Sequence, residues 1–99
     1  MIRMSEDTPT HVVPDEVLAA HLDGEAVLLH MEAKSYYRLN ATAATVFRGL
    51  ERGLGRTALV DALCAEFEVE RDVAARELDR LLEDLAARGL AVPAEEGGA

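Results

Sequence analysis

Tryptophan is absent, and phenylalanine and tyrosine occur twice each, so aromatic residues make up 4% of the chain. There is a single cysteine, Cys64, which excludes an intrachain disulfide and fits a reducing compartment. No apolar run approaches the roughly 18 residues needed to cross a membrane. The N-terminus, "MIRMSEDTPTHVVPDE", has neither an apolar core nor a small-residue cleavage site, so no secretory signal is read there. These absences predict a cytoplasmic chain with no membrane partner. Basic residues are scarce as well. Ten Lys and Arg face 19 Asp and Glu, a net charge of −9. Phosphate-binding surfaces need a basic patch, so a nucleic-acid partner is not expected. An acidic balance favours a basic or apolar partner instead.

Catalytic signatures are missing too. No Gly-x-Ser-x-Gly, phosphate loop or dinucleotide fingerprint occurs. His11, His21 and His30 lack metal-ligand spacing, and no cysteine pair accompanies them. Cys64 lies on an apolar helical stripe and reads as a small hydrophobe. Glu66, Glu68 and Glu70 read as a solvated charge run around a helix break. The expectation is no enzyme, no cofactor and no metal.

What is present is a globular pattern. The 99 residues are 49% hydrophobic and 29% charged, enough for one small domain. Residues 1–10 read as a loose arm, 94–99 as a frayed acidic tail, and 11–93 as the domain. The first half is β. In "EVLAAHLDGEAVLLHM", Asp23-Gly24 separates two apolar runs and signals a hairpin with strands at about 16–22 and 25–31. Val27, Leu29 and Met31 share one strand face, Leu28 and His30 the other. "YYRLN" supplies a third short strand at 36–39, with Tyr37 and Leu39 on one face and Tyr36 and Arg38 on the other.

The second half is α. Asn40 is a good N-cap for a helix striped by Ala43, Val46, Phe47 and Leu50. Gly53 and Gly55 end it. Thr57 is the predicted cap of a second helix, with Val60, Leu63, Cys64 and Phe67 on its stripe. Glu70 caps a third, over 71–88, carrying Ala74, Leu78, Leu81, Leu82 and Leu85 and closed by Gly89 with Leu90 packing back on Leu85. The predicted fold is α+β: a three-stranded antiparallel sheet followed by three helices, winged-helix-like.

Three exposed features ask for a role. Arg76 and Arg80 alternate with Glu77, Asp79, Glu83 and Asp84, which reads first as a solvent face with weak ion pairs. Arg48, Arg52 and Arg56 cluster near the end of the first helix. Both tyrosines sit side by side in a strand that is a sheet edge if the meander ends there. An edge leaves N–H and C=O groups open, and a peptide can pair with them, Tyr36 forming an amphipathic wall. The same edge could instead pair with a second copy, giving a homodimer.

Around these residues the sequence resembles the PqqD-like family of precursor peptide recognition elements. The resemblance rests on "YYRLN" (Tyr36 to Asn40), on Phe47 in a helix of small residues, and on Leu82, Leu85, Gly89 and Leu90; it covers roughly 12–92. It implies a non-enzymatic, freestanding module that binds the leader of a ribosomally made precursor peptide. The leader would join the third strand antiparallel and lie against the last helix. The module would then deliver it to a modifying enzyme or a leader peptidase. The expected peptide-binding residues are Ser35, Tyr36, Tyr37, Arg38 and Leu39, opposite some of Val73, Arg76, Glu77, Arg80, Leu81 and Asp84. Arg48, Arg52 and Arg56 are the expected enzyme-docking patch. Lasso peptide biosynthesis is the favoured setting, and a peptide chaperone for a radical SAM enzyme in pyrroloquinoline quinone biosynthesis the alternative. A winged-helix DNA binder is a further alternative. It is disfavoured because residues 71–88 carry four arginines against five acidic residues.

Overall fold

A computed structural model describes residues 8–94. In chain order the elements are β1 (His11–Val12), β2 (Val17–Leu22), β3 (Glu25–His30), β4 (Ser35–Leu39), α1 (Ala41–Glu51), α2 (Arg56–Glu66), α3 (Arg71–Ala87) and β5 (Val92–Pro93). The class is α+β, and β2-β3-β4 form the expected three-stranded antiparallel meander ahead of three helices.

The meander starts from its first turn. Asp23 and Gly24 both have positive φ, 47° and 82°, the backbone of a two-residue turn whose twist matches the flanking strands. Leu22 then faces Glu25, and the ladder runs back to Val17 opposite His30. The next turn places Ser35 opposite His30 and Leu39 opposite Ala26. Leu28 and Ala26 point inward and are buried, while Val27 and Leu29 lie on the outer face with exposed Leu18, Leu22 and Tyr36. With apolar residues on both faces, the alternation alone did not say which face meets the helices.

Those helices cover the inner face. Asn40 caps α1 through a hydrogen bond from the Ala43 N–H to its Oδ1, 2.9 Å. Ala43, Ala44, Val46, Phe47 and Leu50 are buried on α1, Leu59, Val60 and Leu63 on α2, and Ala74, Leu78, Leu82 and Leu85 on α3. Gly49 lets α1 and α2 approach closely, because a Cβ there would collide with Leu59 Cδ2. Strand and helix ends fall within a residue of expectation, and the start of α2 differs more clearly. α2 begins at Arg56 with Gly55 in the N-cap position, so Thr57 lies inside the first turn.

Gly89 (φ 73°) ends α3 as expected. The Leu90 N–H bonds the Leu85 carbonyl at 2.9 Å and the Gly89 N–H the Ala86 carbonyl at 3.1 Å, which satisfies two terminal carbonyls and buries Leu90. The chain beyond it was not foreseen as structured. β5 pairs antiparallel with β1, Val12 opposite Val92. The Ala94 N–H reaches the Thr10 carbonyl at 2.9 Å. The two ends of the described chain are thus clasped together. The rest of the expected arm and tail, residues 1–7 and 95–99, lies outside the described residues.

Candidate functional site

The border formed by β4 can be resolved group by group. A two-residue turn makes Leu22 and Glu25 a hydrogen-bonded pair, and such pairs recur at every second residue of an antiparallel ladder. Glu25, Val27 and Leu29 therefore direct their main-chain groups to β2. The Met31 N–H bond to the Glu16 carbonyl, 2.8 Å, continues that series. Ala26, Leu28 and His30 direct theirs to β4, where their partners are Leu39, Tyr37 and Ser35. The intervening residues, Tyr36 and Arg38, point their N–H and C=O groups away from the sheet. Their side chains lie on the outer face, Tyr36 73% exposed. Arg38 is 3.5 Å from Glu25 across that face, an ion pair open to solvent on both sides. The opposite border, β2, is partly covered, since the Val17 N–H already bonds the Pro14 carbonyl at 3.1 Å.

Next to the open border runs a cleft of about 360 Å³. Tyr37, Leu39 and Asn40 form one bank, Leu81, Asp84 and Arg88 the other, and Ala43, Leu85 and Leu90 the apolar floor. The flank of α3 that faces the strand is therefore the 77-81-84-88 line. Glu77, Arg80, Leu81 and Asp84 border an adjoining shallow hollow of about 480 Å³. Val73 and Glu77 reach a smaller apolar dimple at the start of α3.

Not every predicted residue arrives there. Arg76 is exposed and, at ~100° per residue, about 120–140° round the helix from Arg88 and Leu81. Arg80 stays at the rim, its Nη2 bound by both Glu77 oxygens at 2.9 and 3.0 Å, which is the helix-surface ion pair its spacing first suggested. The arginine cluster divides. Arg48 and Arg52 line a hollow of about 200 Å³ between α1 and α2. Arg56 instead holds Asp79 on α3 in a two-pronged contact, Nε to Oδ1 at 3.0 Å and Nη2 to Oδ2 at 2.9 Å. That hydrogen bond holds the Asp79 carboxyl below the usual carboxylate range and raises the Arg56 guanidinium.

Arg88 escaped the sequence reading. Its guanidinium carbon lies 6.0 Å from the centre of the Tyr37 ring, and its Nε is 3.3 Å from Asp84 Oδ1. It thereby bridges the two banks of the cleft through a cation–π contact and an i,i+4 pair. The signal was its spacing, one turn beyond Asp84 on the Leu81 flank. Among the described residues, no group of three or more His, Cys, Asp and Glu side chains is arranged to hold a metal ion. No helix there is long and apolar enough to cross a membrane.

An unpaired sheet border, a facing helix flank and an apolar-floored cleft between them define a small α+β module open to an extended chain. The chain belongs to the family of coenzyme PQQ synthesis protein D (PqqD), whose model matches residues 25–91. Two solved structures are similar over nearly their whole length. TbiB1 in complex with the TbiA(beta) leader peptide is 35% identical, with 86% of this chain and 99% of that one covered and a TM-score of 0.79. A lasso peptide synthetase B1 complexed with the leader peptide is 32% identical, with 85% and 99% covered and a TM-score of 0.75. No curated protein matches significantly.

Proposed function

We propose that this chain is a non-catalytic recognition module that binds the leader segment of a ribosomally made precursor peptide by strand addition to β4. The observation that carries the reading is the outward main-chain groups of Tyr36 and Arg38 beside a cleft walled by α3. An added strand satisfies those groups and fixes its own register against them. Main-chain bonds alone read little sequence, so selectivity falls to side chains that enter the cleft against Tyr37, Leu81, Asp84 and Arg88. The leader orders as it binds, which lowers the affinity per unit of buried area. Both similar solved structures are complexes with a leader peptide, and one is a lasso peptide synthetase B1, which favours lasso peptide biosynthesis over the quinone pathway.

In this reading the module works in the cytoplasm, and 11–93 is its working domain. It hands the bound precursor to a modifying enzyme or leader peptidase. Arg48 and Arg52 remain the basic surface offered to that partner, whereas Arg56 is occupied by Asp79. Fluorescence anisotropy with a panel of labelled leader peptides, TbiA(beta) among them, tests the reading. Saturable binding of at least one leader, displaced by its unlabelled form and not by a scrambled one, is expected. Failure of every leader to bind would overturn it.

A further inference from the structure

We propose that an apolar dimple at the α1 end of the cleft takes one aliphatic side chain of the bound peptide, from a residue N-terminal to the segment that pairs with β4. The inference rests on the leader-binding reading and specifies part of its selectivity. β4 runs from Ser35 to Leu39 and passes through Asn40 into α1. A peptide added antiparallel therefore has its N-terminal side at Leu39. Continuing in that direction, it crosses the first turn of α1 and reaches the dimple, which is lined by Thr42, Leu63, Phe67, Val69, Val73 and Glu77. The α3 side is continuous: Val73, Glu77, Leu81, Asp84 and Arg88 succeed one another along a single flank.

The chemistry of the dimple selects the occupant. Leu63 is buried, Phe67 and Val69 are packed against the core, and Val73 is an exposed apolar side chain at 42%. The one charged wall residue, Glu77, is paired with Arg80, whose Nη2 lies 2.9 and 3.0 Å from its two carboxylate oxygens, so its charge is partly neutralised within this chain. The volume, about 130 Å³, is well below the several hundred Å³ of pockets that hold whole small molecules. It suits one side chain of valine, leucine, isoleucine or methionine.

A random dodecapeptide library displayed on phage and selected on the full chain supplies the probe. Enriched peptides should carry an aliphatic residue at a constant spacing N-terminal to the segment that perturbs the Tyr36 and Arg38 amides. Replacing that peptide residue with alanine, or Val73 with Asp in the protein, should each weaken binding about tenfold, the size expected from losing one buried aliphatic side chain. The two changes together should cost much less than the product of both, and Val73→Ile should restore wild-type affinity. Val73 is exposed, so these variants retain the fold; an unchanged thermal melt checks that. Peptides that pair with β4 but show no aliphatic preference, or no coupling to Val73, overturn this inference alone. If no selected peptide perturbs β4 at all, the leader-binding reading falls with it.

Discussion

Proline placed at successive positions of β4 separates the fold from the site. The register assigns the Tyr37 N–H to β3, opposite Leu28, and the Arg38 N–H to the open side. Proline removes the N–H and is tolerated in a sheet only where that group faces away from the ladder. Arg38→Pro should therefore leave the protein folded, while Tyr37→Pro leaves the buried Leu28 without its ladder partner and should cost about 1–3 kcal/mol. Towards a leader peptide, Arg38→Pro is the informative change, because it alters the border and leaves the ladder to β3 intact. Loss of the Arg38 donor leaves a peptide carbonyl without its partner, a penalty of about 1–3 kcal/mol, or roughly five- to 150-fold in Kd. Arg38→Ala is the control. It removes the exposed contact with Glu25, worth at most about 1 kcal/mol to stability, and keeps the N–H. Thermal melts by circular dichroism read the fold, and anisotropy of a labelled leader reads binding. The reasoning is refuted if Arg38→Pro binds as tightly as Arg38→Ala, or if Tyr37→Pro melts with the wild type.

Other outcomes follow from single contacts. Gly49→Ala pushes a methyl group into Leu59 Cδ2, and urea unfolding should show a loss of about 1–3 kcal/mol despite the better helix propensity of alanine. The Asp79–Arg56 pair adds a small pH dependence. The carboxyl is held below its unfolded pKa, so its contribution is full above about pH 4 and is lost as pH falls through the depressed folded value. Both side chains are about half exposed, so solvent screening keeps the contribution under about 1 kcal/mol. Asp79→Asn should lower stability by that amount at pH 7 and by nothing once the Asp79 carboxyl is protonated in the folded and unfolded states alike, as denaturant melts across that range will show.

Much of the scaffold was legible because local chemistry and tertiary packing agree there. Asp23-Gly24 needs two positive φ angles and has them. Asn40 caps where an oxygen acceptor was required, and Gly89 closes α3 with Leu90 returning to the core. The β1–β5 clasp was invisible, since two-residue strands have no periodicity and Pro93 argues against one. The start of α2 was misplaced by weighting a side-chain cap at Thr57 over Gly55, whose carbonyl accepts the Leu59 N–H at 3.0 Å. At the site, the YYRLN strand was recognisable from composition and resemblance. The facing flank of α3 was not, because Arg76, Arg80 and Arg88 are equivalent by residue type. Only the packing of Leu78 and Leu82 into the core turns Leu81, Asp84 and Arg88 towards Tyr37 and leaves Arg76 in solvent.

Amide hydrogen exchange, followed by NMR with and without a bound leader peptide, examines the β4 border directly. The account predicts that the Tyr36 and Arg38 amides exchange fast in the free protein and become strongly protected in the complex, while Tyr37, already bonded to β3, changes little. Protection gained along β2, or anywhere that leaves Tyr36 and Arg38 exchanging as before, would contradict it.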